Sequence, residues 1–297
     1  MRKKLIIFVL ILVFITAFLL IGNFTVKTTT YTITSSKIDE GIIIAQISDF
    51  HDTPLKKQII QKLKKESPDI IVITGDFIDY QRCDINGSIN FIKAIKDIAP
   101  IYYATGNHEA GQITKFKEME KELNNLGVNI LHDESETLNI NNNNISIIGL
   151  DDPDYHKVNK SKKTTISSIE FDTDNFCLLL SHRPELFKDY QGFGIDLVLT
   201  GHAHGGQIRI PFFGGIYAPH QGLFPEYTSG IFGGETKMIV SRGIGNSRFP
   251  IRINNTPELV IINLEKNNFY PKICWPESKN MVYYRCKQEK SGASDSP

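Results

Sequence analysis

The sequence predicts an α/β domain of two packed sheets with helices outside, and three observations carry that expectation. Apolar runs of strand length alternate with amphipathic helical stretches from residue 42 to residue 127. Beyond residue 127 the chain changes to short apolar runs joined by turn residues, as a second sheet requires. Five polar islands each follow an apolar run, at the carboxyl ends of candidate strands where open α/β sheets gather their ligands.

The N-terminus is a separate object. Met1-Arg2-Lys3-Lys4 precedes Leu5 to Ile21, whose only polar member is Thr16. At ~1.5 Å per residue that run spans roughly 25 Å, near the lower limit for crossing a bilayer. Leu20-Ile21-Gly22-Asn23 offers no small-residue cleavage site. Residues 1–22 are therefore read as an uncleaved anchor, with a cleaved signal peptide as the competing reading. The basic tip stays cytoplasmic, so the remainder is expected outside, in a cell membrane by a single pass. Residues 23–40, rich in threonine, read as a stalk or a first edge strand.

The globular part is expected over 41–268. Ile42–Ile47 is apolar except for Gln46, as a strand buried on both faces needs. Pro54 opens a helix to about Glu66 with Leu55, Ile59, Ile60 and Leu63 on one face. Asp69–Thr74 is a strand, Ser88–Ile98 a helix, Ile101–Thr105 a strand and Thr114–Leu126 a helix closed by Gly127. This order implies parallel strands with right-handed crossovers. Val128–Leu131, Thr137–Ile140 and Ser146–Leu150 are short strands, with Asn141–Asn144 as a turn. Residues 155–175 read as a polar surface loop, with a functional lid as the competing reading, and Phe176–Ser181 and Leu197–Thr200 are buried strands. Gln207–Ile210, Lys237–Ser241 and Glu258–Leu264 are assigned to the second sheet. Residues 269–297 form a tail, disordered after Gln288.

Composition excludes some partners. The chain of 297 residues has 33 basic and 33 acidic side chains. Arg2, Lys3, Lys4 and Lys27 stand in the first 36 residues without an acid, which leaves 29 basic against 33 acidic, a net of −4. A soluble part of that sign is a poor binder of phosphate backbones, so no nucleic acid is expected. The four cysteines fit no zinc motif. Cys177 reads as a core filler, and a Cys274–Cys286 disulfide is left open.

The islands carry the chemistry. They are Ser48-Asp49-Phe50-His51, Gly75-Asp76-Phe77, Gly106-Asn107-His108-Glu109, Ser181-His182-Arg183 and Gly201-His202-Ala203-His204-Gly205-Gly206. Singly, each has a structural explanation: Asp49 or Asp76 as a helix cap, His182 as a core histidine. Jointly, oxygen and imidazole donors without thiolate suit two divalent ions such as Mn, Fe or Zn. Asp79 and Glu109 are read as orienting or capping residues. Arg183, Arg209 and Arg242 are read as phosphate-binding residues or as members of surface ion pairs, and for phosphate the last is favoured. The apolar stretch Pro211–Tyr217 is read as a packed loop or as a receptor for an acyl chain.

In this order the motifs resemble the calcineurin-like metallophosphoesterases over roughly residues 42–265. The resemblance implies a four-layer α/β/β/α sandwich. It implies Asp49, His51, Asp76 and His204 on one metal, Asp76, Asn107, His182 and His202 on the other, and a hydroxide shared between them that attacks phosphorus. His108 would stabilise the transition state or protonate the leaving oxygen. The last island and Ser241-Arg242-Gly243-Ile244-Gly245 are similar to an exported or membrane-anchored bacterial subgroup, some members of which resemble UDP-2,3-diacylglucosamine hydrolases. The expected activity is phosphodiester or phosphomonoester hydrolysis outside the cytoplasm, on a substrate that is lipid-linked or soluble. A diacylglucosamine-type lipid pyrophosphatase is the alternative, and a non-catalytic metal-binding scaffold the alternative of another class. Oligomeric state is not legible.

Overall fold

The computed structural model describes residues 2–160, 164–246 and 251–267. In chain order its helices are α1 (Arg2–Phe24), α2 (Lys56–Glu66), α3 (Ile85–Ile95), α4 (Asn107–Gly111), α5 (Ile113–Asn125) and α6 (Pro153–Asn159). Its strands are β1 (Lys27–Ser35), β2 (Ile42–Ile47), β3 (Ile70–Thr74), β4 (Ile101–Ala104), β5 (Val128–Ile130), β6 (Glu134–Ile140), β7 (Asn143–Gly149), β8 (Phe176–Leu180) and β9 (Leu197–Thr200). Four two-residue strands follow: β10 (Arg209–Ile210), β11 (Gly214–Gly215), β12 (Tyr217–Ala218) and β13 (Gly222–Leu223). The last are β14 (Gly230–Gly233), β15 (Lys237–Val240) and β16 (Glu258–Lys266).

The result is a mixed α/β fold with two largely parallel six-stranded sheets, ordered β1-β16-β2-β3-β4-β5 and β14-β15-β9-β8-β7-β6. Strand pleating explains the layers, because successive side chains point to opposite faces. Ile71 and Ile73 of β3 face α2, α3 and α5 with Ile59, Leu63, Ile92, Phe116 and Leu123. Ile70 and Val72 of the same strand face the second sheet, meeting Leu178 and Leu180 of β8 and Leu197 and Leu199 of β9. Leu179 and Val198 then point away, under the short 3-10 turns that carry Ile166, Phe187 and Tyr190. Truncating a side chain of the middle layer such as Leu178 to Ala would cost about 2–5 kcal/mol. Gln46, the one polar residue of β2, reaches across that layer: its amide donates to Thr200 O (2.9 Å) and to Thr74 Oγ1 (3.0 Å). It thus joins the two strand ends that carry the site.

Residues 27–35, read as a stalk or a first edge strand, are the edge strand β1, paired in parallel with β16. Two expectations change. Glu258–Lys266 belongs to the first sheet, not the second, inserted antiparallel to β2. The 207–210 stretch pairs only locally, as the β10–β11 hairpin, apart from an isolated bridge between Ile208 and Ile253. Within 155–175 the polar stretch is partly ordered as α6 and a 3-10 turn. Cys274, Cys286 and the tail lie outside the described residues.

Candidate metal centre

Parallel strands end on the same side, and the chain uses this five times. Asp49 follows β2, Asp76 follows β3, Asn107 follows β4, His182 follows β8 and His202 follows β9. The first three come from one sheet and the last two from the other, so the site sits where the sandwich is open at its strand ends. To turn back there, the backbone adopts left-handed conformations at the very residues that carry the donors. Asp49 (φ 48°), His51 (45°), Asp76 (51°), His202 (63°) and His204 (46°) all do so. For a non-glycine residue this costs of order 1 kcal/mol each, and such strain concentrates at functional sites. Gly75 (φ 79°) shows why no side chain is tolerated between them: a Cβ there would lie 2.7 Å from His182 Nδ1.

Donor atoms converge in two groups that share Asp76. Asp49, His51, Asp76 and His204 form one, and Asp76, His182 and His202 the other, with the donor atoms of each group within 4.8 Å of one another. His51 Nε2 lies 3.2 Å from His204 Nε2, and His182 Nε2 lies 3.1 Å from His202 Nδ1. Asp76 Oδ2 is 3.2 Å from His182 Nε2 and 3.7 Å from His51 Nε2. Asn107 stands beside them at the start of α4, its Oδ1 buried and without a hydrogen-bond partner.

Tautomers can be assigned from the partners. His182 Nδ1 lies 2.8 Å from Thr74 O, which only accepts, so Nδ1 carries a proton and Nε2 is the nitrogen that faces Asp76. His202 Nε2 is 2.9 Å from His220 Nδ1 on its far side, leaving Nδ1 inward. His108 Nδ1 accepts the Tyr80 N–H at 3.1 Å, which places its proton on Nε2, 3.8 Å from Asp76 Oδ2. His51 Nδ1 is buried and unpartnered, with Asp79 Oδ2 nearest at 3.8 Å.

Burial lowers the pKa of His51 and His202, each helped by a neighbouring histidine, and lowers His204 to about 4, helped by the Arg252 guanidinium. Those three imidazoles are neutral, as ligation requires. Burial alone would raise the Asp76 carboxyl, but its attraction to His182 and the hydrogen bond from that ring, with His108 and His51 also near, override it and hold Asp76 well below the carboxylate range. Burial pulls His182 down, and Asp76 lifts it to about 10. These side chains fit divalent cations. The donors are oxygen and imidazole alone, the inward nitrogens point at common centres, and a buried amide oxygen awaits a partner.

Residues that sequence reading assigned elsewhere complete the site. Glu109 is fully buried, and its carboxylate accepts the backbone N–H groups of Asp76 (3.0 Å), Phe77 (2.8 Å) and Gly106 (2.8 Å) and the Tyr103 hydroxyl (2.7 Å). It does cap α4, and it also fixes the loop that presents Asp76. Arg183 is 4% exposed and forks onto Asp152 through Nε (2.5 Å) and Nη2 (2.8 Å). Its Nη1 lies 2.6 Å from His220 Nδ1 and 3.4 Å from His202 Nε2. Arg252, buried, has Nη2 3.4 Å from His204 Nδ1. Arg242, the favoured phosphate-binding arginine, is not at the site. Its Nε lies 3.8 Å from Glu258 Oε1 and it does not line the cavity, because β16 brings Glu258 beside it. The cavity over the donors, about 510 Å3, is lined by Asp76, Asn107, His108, His202, His204 and His220 among others.

A family model described as calcineurin-like phosphoesterase matches residues 42–206. The chain is similar to an uncharacterised metallophosphoesterase, YkuE, of Bacillus subtilis, 31% identical over 82% of this chain and 87% of that one. It is 26% identical to the phosphodiesterase YaeI of Escherichia coli, over 67% of this chain and 72% of that protein. It is 27% identical to the UDP-2,3-diacylglucosamine pyrophosphatase LpxG of Chlamydia trachomatis, over 75% of this chain and 83% of that protein.

Proposed function

The chain belongs to the calcineurin-like phosphoesterases and is a hydrolase of phosphoester bonds, and from that premise we propose that it is a dinuclear phosphodiesterase, held to a membrane by α1 and working on its outer side. The single observation that carries the dinuclear reading is the sharing of Asp76 by two convergent donor groups. Asp49, His51, Asp76 and His204 would hold one ion, and Asp76, Asn107, His182 and His202 the other. When bound, such a pair supplies Lewis acidity toward the phosphoryl oxygens and a water-derived nucleophile at neutral pH.

The chain's own residues do the rest. The His108 backbone N–H donates to Asp76 Oδ1 at 2.8 Å and steadies the shared carboxylate. The His108 ring presents Nε2–H to the cavity, where it can donate to a phosphoryl oxygen or protonate the leaving oxygen. Arg183 and His220 hold the outer edge of His202, and Asp79 faces the outer edge of His51. Such outer partners fix ring orientation.

The outward orientation rests on Arg2, Lys3 and Lys4 in the first turn of α1, the one described helix long and apolar enough to cross a membrane. The substrate proposed is a phosphodiester or pyrophosphate linked to a lipid. A diacylglucosamine-type lipid pyrophosphate is the second reading, favoured by the similarity to LpxG. The test is Asp76→Asn against a chromogenic phosphodiester. Loss of one shared charge, a matter of several kcal/mol, should cut turnover about 1000-fold. A variant turning over at the parent rate would end the dinuclear reading.

A further inference from the structure

The stretch between β9 and β14 leaves the body of the domain as two small hairpins. The tip of the first carries Phe212 and Phe213, 105% and 78% exposed, and the base of the second carries Leu223 and Phe224, 70% and 69% exposed. Isolated apolar residues on a surface are ordinary, but four large ones on one excursion mark an interaction site. Their position in the fold says what covers them. The last turn of α1 is tied to this region: Asn23 Nδ2 donates to Arg252 O (2.9 Å), and the Arg252 N–H donates to Asn23 Oδ1 (2.7 Å). The next residue, Ile253, accepts the Arg209 N–H at 3.0 Å. Arg209 opens the hairpin, and Phe212 stands three residues on, at most about 10 Å of chain away. The exit of the apolar helix and the aromatic hairpin are therefore linked through 252–253, by the Asn23 side chain on one side and a backbone hydrogen bond on the other.

We propose that Phe212, Phe213, Leu223 and Phe224 dock onto the lipid surface of the bilayer that holds α1. Phe and Leu side chains bury at the boundary of headgroups and acyl chains, where water still reaches a hairpin's backbone groups. The second hairpin also carries Tyr217, Pro219 and His220, which line the cavity over the donor groups. Docking would bring that wall of the cavity to the headgroup level, where a lipid-linked phosphate is presented. The proposal rests on the reading of α1 as a membrane anchor.

Depth-dependent quenching tests it on the full chain. Trp275, the one tryptophan, is replaced by Phe, and Phe213→Trp and Phe18→Trp are made separately in that background. Each protein is reconstituted in phosphatidylcholine–phosphatidylglycerol nanodiscs with plain or acyl-brominated lipid, and its turnover of a soluble chromogenic phosphodiester confirms an intact fold. Quenching of both tryptophans by brominated lipid supports docking. Quenching at position 18 but not at position 213 overturns docking and leaves the anchor standing. Quenching at neither overturns both. Phe212→Ser with Phe213→Ser should leave turnover of the soluble diester unchanged. Cross-linking of Phe213→Cys between two copies, in place of lipid contact, would assign the patch to a second copy and overturn the proposal.

Discussion

Glu109→Gln should weaken both the fold and the site, and the size of the effect follows from the four shortest of the five hydrogen bonds its carboxylate accepts. Oε2 accepts from Asp76 N and Gly106 N, and Oε1 from Phe77 N and the Tyr103 hydroxyl. A glutamine has one acceptor oxygen. Its gentler orientation keeps that oxygen on Asp76 and Gly106 and lets the Tyr103 hydroxyl turn to accept from the amide. The Phe77 N–H is then stranded against an NH2 group. A buried donor left unmade costs about 1–3 kcal/mol, and two bonds that lose their charge assistance cost about 1 kcal/mol each. The sum, about 3–5 kcal/mol, corresponds to a fall in Tm of roughly 6–20 °C for a domain of this size. Because the loop that moves carries Asp76, metal affinity or turnover should fall about 10- to 100-fold as well. Calorimetry with a metal titration on the same sample reads both. Parent-like Tm and parent-like affinity together would refute the claim that Glu109 fixes the Asp76 loop.

Three other outcomes are expected. Arg183→Met removes the fork from Asp152, itself fully buried, and should cost about 3–5 kcal/mol by urea denaturation, with part regained by adding Asp152→Asn. Chelation should lower Tm, and Mn2+ restored to 100 times its Kd should return about 2.7 kcal/mol per site, roughly 5–10 °C. In chelator, pH should matter on both sides. His51, His202 and His204 have folded pKa values below their ordinary 6.5, so the unfolded chain binds protons first and stability falls as pH drops from 6.5 toward about 4. His182, lifted to about 10 beside Asp76, contributes stability that is full below 6.5 and fades as pH rises toward 10. A urea midpoint that stays flat from pH 7 to pH 5 would contradict the first half of this.

What the sequence made legible was what is local. Strand runs such as Ile70–Thr74 and Phe176–Leu180 announce themselves because burial on both faces demands unbroken apolar residues. The donors were legible because each sits two to four residues past such a run. Pairing across long separations was not. Nothing in Glu258–Lys266 states that it slips between β1 and β2, since a strand's composition reports burial and not its neighbours. The partners of the arginines were hidden for the same reason. Arg242 and Arg183 both follow a serine or a donor in sequence, but only the fold sets Glu258 beside one and Asp152 beside the other. Glu109 was visible as a cap three residues from Gly106, whereas its hold on Asp76 spans 33 positions and becomes apparent only when β3 and β4 lie side by side.

Anomalous diffraction from crystals soaked in Mn2+ tests the shared-carboxylate claim most directly. Two peaks should flank Asp76, about 3.5–4 Å apart, one against Asp49, His51 and His204 and the other against Asn107, His182 and His202. A single peak, or two that do not both touch Asp76, would contradict it.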